Sequence, residues 1–220
     1  MDANAHVYYN DKNEIIPSVT QIIKALSSKG IAEWANWLGW KRISYTKHLD
    51  ELSYYGTIVH DWIHKSFVGE EIKELGARLP NEDKLYTCFS RFTQWKNETQ
   101  AECLYTETAY NNNRYAGTID LIARIKNGAI GLIDFKTSAN PRPSHVLQLG
   151  GYLNLIEETN NELFQQITYA QIISLGGDSI SFFTLPRDKM VIYQQAFEKL
   201  FLLYCSWKDI LKNDWNETIS

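Results

Sequence analysis

Cysteine is scarce in this 220-residue chain: Cys88, Cys103 and Cys205 lie far apart, with no CxxC spacing. That excludes a disulfide framework or a four-thiolate zinc cage as the organising device and fits reduced thiols in a cytoplasmic protein. No apolar run approaches the roughly 20 residues of a membrane span. The opening MDANAHVYYND has no basic segment followed by an apolar one, so neither a membrane anchor nor a signal peptide is expected. Net positive charge is also missing, since 22 Lys and Arg face 26 Asp and Glu. A surface that is basic throughout is thereby disfavoured, although a few well-placed cations would suffice for a local phosphate track. Repeats, linkers and low-complexity tracts are absent. Apolar and aromatic residues are plentiful, at 44% and 13%, enough for one domain over residues 1–220 with its own core.

The periodicity divides the chain. HVYYNDKNEIIPS predicts a short hairpin turning at Asp11 to Asn13, and Ser18 and Gln21 have capping-box spacing at a helix start. Residues 18–101 read as mainly helical. Trp34, Trp37 and Trp40 form a stripe expected to face the core rather than to stack on bases. Val59, Trp62, Ile63 and Phe67 share one helical face over 52–67, and Leu85, Phe89, Phe92 and Trp95 share another over 82–101. From 104 to 138 the period falls to two, giving strands at 104–110, 114–125 and 129–138. A helix over 142–158 and strands in QITYAQIISL and SISFFTLP complete a sheet core over 104–185. A helix over 188–213 follows, with Ile192, Ala196, Leu200, Leu203, Trp207 and Ile210 as its apolar stripe. The order implies an α/β domain: a central mixed sheet of about five strands flanked by helices, with an added N-terminal helical region.

One stretch of this core is anomalous. GLIDFKTS, residues 131–138, reads as a buried strand, yet Asp134 and Lys136 lie on one face of it. The turn before it, Lys126-Asn127-Gly128, suits a three-residue loop with Gly128 left-handed. Ile125 then flanks Ala129, so paired positions sum to 254 and Asp120 falls opposite Asp134, with Cβ atoms roughly 5 Å apart. Two carboxylates that close repel unless a cation sits between them. Lys136 offers one charge, and Glu107 on the preceding strand can add a third acid. Such oxygen clusters suit a hard divalent ion. A buried Asp–Lys pair or an ordinary exposed strand face would carry the same residues, and spacing alone leaves these readings open.

GTIVH (56–60), GTID (117–120), DFK (134–136) and QLGGY (148–152) occur in an order that resembles the PD-(D/E)xK nuclease superfamily, in its RecB-like and phage-type exonuclease branch. The likeness covers about residues 56–152. It implies a restriction-endonuclease-like fold and a DNA exonuclease dependent on Mg2+ or Mn2+, leaving 5′-phosphate and 3′-hydroxyl ends in recombination, repair or phage DNA processing. Asp120, Asp134 and the Phe135 carbonyl would bind the catalytic metal, with Glu107 and His60 as further ligands. Lys136 would hold the attacking water, and Gln148 and Tyr152 would orient Lys136 or the DNA backbone. Iron–sulfur members of the branch use four cysteines, so no cluster is expected here.

Softer candidates surround this set. His60 and His64 at i and i+4 also fit half a zinc site, but His64 reads better as a satisfied helix residue. Gly56, one turn before His60, is expected to let its helix approach the sheet closely. Arg142 above all, then Lys41, Arg42, Lys47, Arg187 and Lys189, are candidate phosphate contacts, and Tyr54 and Tyr55 could stack on bases or pack in the core. The expected partner is DNA, preferentially its ends, with a recombination protein as a further possibility and no membrane. An endonuclease with the same core and a non-catalytic binding module are the rival readings, and oligomeric state is not encoded in any motif.

Overall fold

The computed structural model describes residues 7–24, 31–72 and 82–213, with the side chains of 31–34 and 210–213 outside that description. Trp34 and Ile210, two of the expected stripe residues, therefore lie outside it. A hairpin of β1 (Tyr8–Tyr9) and β2 (Ile15–Ile16) leads into α1 (Val19–Lys24), α2 (Ile31–Trp40), α3 (Tyr45–Val68) and α4 (Glu82–Thr99). Strands β3 (Glu102–Asn111), β4 (Ala116–Arg124) and β5 (Ile130–Lys136) follow, then α5 (Pro143–Thr159) and α6 (Asn161–Gln166). The described residues continue through β6 (Ile167–Ser174), β7 (Ser181–Pro186), a 3₁₀ turn and α7 (Met190–Asn213). The sheet order is β3-β4-β5-β6-β7, antiparallel except for the β5–β6 pair, which α5 and α6 bridge.

Capping and turn chemistry behave as the sequence predicts. Ser18 and Gln21 exchange bonds at the start of α1, Gln21 N–H donating to Ser18 Oγ at 3.1 Å and Ser18 N–H to Gln21 Oε1 at 2.9 Å. Gly128 takes φ 85° and donates its N–H to the Ile125 carbonyl at 2.8 Å. Leu121 pairs with Ile133 and Arg124 with Ile130, the register that the three-residue loop demands.

Side-chain alternation then sorts the core into two layers. Ile130 and Leu132 of β5 pack with α1, α5 and α7, whereas Ile133 and Phe135 pack with α3 and α4. Phe135 is fully buried edge-on to Phe92 and Trp95, with ring centroids 5.4 and 5.3 Å away. Burying such a side chain contributes about 1.5–3 kcal/mol. That anchor fixes the face on which Asp134 and Lys136 stand. Across the other layer, a methyl at Gly150 would meet the Tyr193 carbonyl at 2.3 Å, so α5 and α7 approach closely only over glycine.

Three packing expectations are overturned. Trp37 and Trp40 are 54% and 91% exposed, and among the described side chains of α2 Leu38 is the buried one. A strict three-residue spacing drifts about 60° per step against the 3.6-residue turn, so such a stripe spirals off any one face. In α7, Ile192, Leu203 and Trp207 are exposed, while Met190, Gln194, Phe197, Leu200 and Phe201 face inward. This helix is apolar on both sides, and periodicity alone could not choose between them. Finally, a methyl at Gly56 would meet nothing within 4 Å, so this glycine borders open space rather than permitting close packing. The short helix α6 had no sequence signal beyond its Asn160 cap, whose side chain accepts from Leu163 N–H at 3.2 Å.

Candidate active site

The acids converge where the sheet forks. The β4–β5 ladder ends at Leu121–Ile133, one step before Asp120 would pair with Asp134. The two acids therefore do not face each other across a continuous ladder, as the register alone suggested. Instead Asp120 Oδ2 accepts the Phe135 N–H at 2.8 Å, a side chain replacing a backbone rung at the fork. Alternation also breaks there, since Ile119 packs in the α5 layer and Leu121, two residues on, in the α3–α4 layer. On β3, between Thr106–Leu121 and Thr108–Ile119, Glu107 takes φ 45°. A non-glycine residue in this region is costly and is held by its surroundings. Regular strand geometry is thus interrupted at Glu107 in its backbone and around Asp120 in its side-chain alternation.

Helix α3 brings His60 onto this fork. Its Nδ1 lies 3.3 Å from Asp120 Oδ1 and 3.6 Å from Glu107 Oε1. Burial alone would lower the imidazole pKa, but the Asp120 charge and bond, with Glu107 adding to them, push it up to about 10. Reciprocally, burial would raise Asp120, yet His60, Lys136 and the Phe135 N–H together hold it below its ordinary value. His60, Glu107 and Asp120 each offer a ligand atom, all within 4.8 Å of one another, and this group could hold a metal ion.

Asp134 supplies the independent sign of a cation site. Its side chain is 1% exposed and Lys136 Nζ stands 2.7 Å from Oδ2. Among the described residues Oδ1 has no hydrogen-bond partner, and Oδ2 has the lysine alone. Burial pushes its pKa up to about 6; Lys136 restrains the rise and Asp120 adds to it. A buried carboxylate with unfilled lone pairs beside a second acid suits a hard divalent ion.

Tyr152 and Gln148 rise from α5 on the same side. Gln148 Nε2 donates to Tyr152 Oη at 2.6 Å, and both residues are buried. Burial, then the charges of Asp134 and Asp120, raise the phenol well above its ordinary pKa. The glycine of GTID finds its reason here, because a methyl on Gly117 would meet the Tyr152 ring at 2.7 Å. A cleft of about 460 Å³ opens over the fork, bordered by Gly56, Thr57 and His60 of α3, by Tyr8, and by Ser18 and Thr20. Tyr8 Oη lies 2.9 Å from Thr118 Oγ1, tying the N-terminal hairpin to β4. His64 lies on this cleft with Nδ1 3.3 Å from Thr106 Oγ1, a satisfied helix residue.

The remaining candidates are more dispersed. Arg142 is exposed at the N-cap of α5, directly after the strand that carries Lys136. Lys41 and Arg42 are exposed beyond α2, away from the cleft lining. Tyr55 is half-buried against the α3–α4 layer, and Tyr54 beside it is 48% exposed. Arg187 is structural: it donates to the Phe164 carbonyl at 2.7 Å and lies over the Phe164 ring. Sequence reasoning passed over His145, whose Nδ1 accepts the Arg142 N–H at 3.2 Å. Burial, then Lys136 and Arg142, lower its pKa to about 3, so it stays neutral. Its i+3 spacing from a helix-opening residue was the available signal. Tyr8 had none, since its bond to Thr118 spans 110 positions. Among the described residues no helix is long and apolar enough to cross a membrane.

No family model matches the chain, and no curated protein sequence matches it. Among solved structures, SSO0001 is 18% identical over 67% of this chain and 85% of its own, with a TM-score of 0.34. An alkaline exonuclease (LHK-Exo) from Laribacter hongkongensis is 11% identical over 92% of this chain and 94% of its own, with a TM-score of 0.41. The same enzyme in complex with dAMP is 10% identical over 93% and 95%, again with a TM-score of 0.41. Likenesses of this degree leave the function to be argued from the site itself.

Proposed function

We propose that this protein is a metal-dependent deoxyribonuclease of the PD-(D/E)xK type, acting on DNA ends. The observation that carries the reading is the fork between β4 and β5. There, Asp120 and His60 meet Glu107, while Asp134 is buried with Oδ2 against Lys136 and Oδ1 without a hydrogen-bond partner among the described residues. His60, Glu107, Asp120 and Asp134 would hold Mg2+ or Mn2+, with the Phe135 carbonyl as a further donor. The ion would supply an activated water and a clamp on a non-bridging phosphate oxygen. Lys136 Nζ, tethered to Asp134, would steady the attacking water and the charge that develops on phosphorus. Gln148 and Tyr152 fix each other and, from one face of α5, would orient the lysine or the sugar–phosphate chain. Arg142, Lys41, Arg42 and Tyr55 would contact DNA further out. Hydrolysis on this plan leaves 5′-phosphate and 3′-hydroxyl ends.

Digestion of end-labelled linear DNA beside covalently closed circles, with Mg2+, Mn2+ or EDTA, tests the reading. Loss of linear DNA alone, only with metal, is expected; cut circles would make the protein an endonuclease. Intact DNA in every lane would turn the site into a non-catalytic binding module.

The titrations give a second test. Asp134 is raised to about 6 and His60 to about 10, so the folded protein holds protons there that the unfolded chain has released. The stability those protons contribute is full below the ordinary carboxylate and imidazole pKa values. It is lost as pH rises through about 6 for Asp134 and about 10 for His60. A metal ion competes for the same lone pairs and gains as the protons leave. The rise in Tm caused by Mg2+ is therefore expected to be small at pH 5 and to grow toward pH 8. An increment independent of pH, read by calorimetry, would remove Asp134 from the ligand set.

A further inference from the structure

Residues 34–49, WANWLGWKRISYTKHL, carry three tryptophans and three basic residues and not one acid, in a chain whose net charge is −4. The fold does not use Trp37 or Trp40 for its core: they are 54% and 91% exposed, and Leu38 between them takes the inward position. Lys41 Nζ stands 6.0 Å from the Trp37 ring centroid, so cation and aromatic share one surface. The helix then stops abruptly. Arg42 N–H donates to the Gly39 carbonyl at 2.9 Å and Ile43 N–H to the Leu38 carbonyl at 2.9 Å, with Arg42 at φ 57°. Glycine is the usual occupant of such a left-handed helix end. Here an arginine occupies it and holds a guanidinium-bearing side chain one residue beyond the exposed Lys41 and two beyond Trp40.

The patch also has a direction. Helix α3 starts at Tyr45 and reaches the cleft at Ser53, Gly56, Thr57 and His60. Tyr45 to Gly56 is about 16 Å along the helix axis. Tyr54, 48% exposed, directly follows Ser53 at the edge of the cleft. Exposed aromatic faces interleaved with cations, at the head of an element that ends on an acidic phosphodiester-cleaving site, match one kind of partner. Bases of a single strand stack on aromatic rings without regard to sequence, while its phosphates pair with Lys and Arg. Duplex DNA keeps its bases stacked inside and has no use for bare indole faces.

We propose that the α2–α3 hairpin is a docking platform for single-stranded DNA, with Trp37 and Trp40 stacking on bases and Lys41 and Arg42 on the adjoining phosphates, feeding a frayed strand along α3 toward His60. The proposal rests on the nuclease reading of the fork for the strand's destination, but its binding step does not require cleavage.

The test is fluorescence polarisation of labelled (dT)20 and of a blunt duplex of equal length, in EDTA so that nothing is cut. Wild type is compared with Trp37→Ala/Trp40→Ala and with Lys41→Ala/Arg42→Ala. Both tryptophans are exposed, and circular-dichroism melting checks that each variant is folded. Loss of the two indoles is expected to weaken (dT)20 binding by roughly tenfold per ring, leaving the duplex affinity unchanged. Loss of the two cations is expected to flatten the salt dependence, lowering the slope of log K against log salt by roughly 0.7 per phosphate contact. Equal (dT)20 affinity of wild type and the tryptophan variant would overturn the platform. So would a wild type that sediments as a dimer and a tryptophan variant that sediments as a monomer with unchanged (dT)20 affinity, since the patch would then join two copies of this chain. The two readings fail separately. Metal-dependent cleavage without tryptophan-dependent (dT)20 binding removes the platform alone, and tryptophan-dependent binding with no cleavage in any metal removes the nuclease alone.

Discussion

Asp120→Asn is expected to lower metal-dependent DNA hydrolysis by at least roughly a thousandfold while the protein stays folded. The amide keeps one carbonyl oxygen, enough to accept the Phe135 N–H that Asp120 Oδ2 accepts now, so the rung across the fork survives. What disappears is the charge. With it goes the main force holding the His60 pKa up at about 10, so His60 should titrate closer to its ordinary range. Nuclear magnetic resonance titration of His60 reads that shift apart from any enzymatic assay. Full activity in Asp120→Asn would remove this carboxylate from the chemistry and leave it a structural acceptor. A variant that is inactive yet keeps the wild-type Mg2+-induced rise in Tm would move the metal elsewhere.

Lys136→Ala should produce the largest change in stability at the site. Asp134 is 1% exposed, and among the described residues Lys136 is the cation at ion-pair distance from it. Removing one partner of a buried pair leaves the other charge uncompensated, at about 3–5 kcal/mol. For a chain of this size about 3 kcal/mol corresponds to a fall in Tm of roughly 6–12 °C. The loss should depend on pH with a definite sign. Burial already raises the Asp134 pKa to about 6, and without the lysine it rises further. Below that value the carboxyl is protonated and has no charge to strand, so the variant approaches wild type at pH 5 and departs from it toward pH 8. Adding Asp134→Asn should recover much of the stability without restoring hydrolysis, a coupling that a double-mutant cycle measures. A loss of Tm equal at both pH values would mean that the lysine contributes packing of its aliphatic stem instead of charge.

Much of this architecture is written locally. The alternation in GLIDFKTS announces a strand whose Phe135 is buried and whose Asp134 and Lys136 share the opposite face, and that is how β5 sits. The turn at Lys126-Asn127-Gly128 determines the β4–β5 register, because only glycine takes φ 85° there without cost. Ser18 and Gln21 declare the start of α1 through bonds they make to each other. Each of these signals depends on residues a few positions apart, whose geometry the backbone itself enforces.

Other features were decided only when distant segments met. The ladder could have continued to Asp120 and Asp134; instead the strands part, Asp120 reaches the Phe135 N–H, and Glu107 turns to φ 45°. Helix α3 sets His60 against both acids from more than forty residues away in sequence. The outward turn of Trp37 and Trp40, and the choice of Phe197 over Trp207 as a core residue of α7, belong to the same class. Those helices are apolar on more than one face, so period and propensity leave the inward face undecided. Selecting it takes the shape and chemistry of whatever packs against them, and that is a property of the folded chain. The sequence by itself determined the strands, the turn and the acids; tertiary packing decided the fork that gathers them and the aromatic surface left facing solvent.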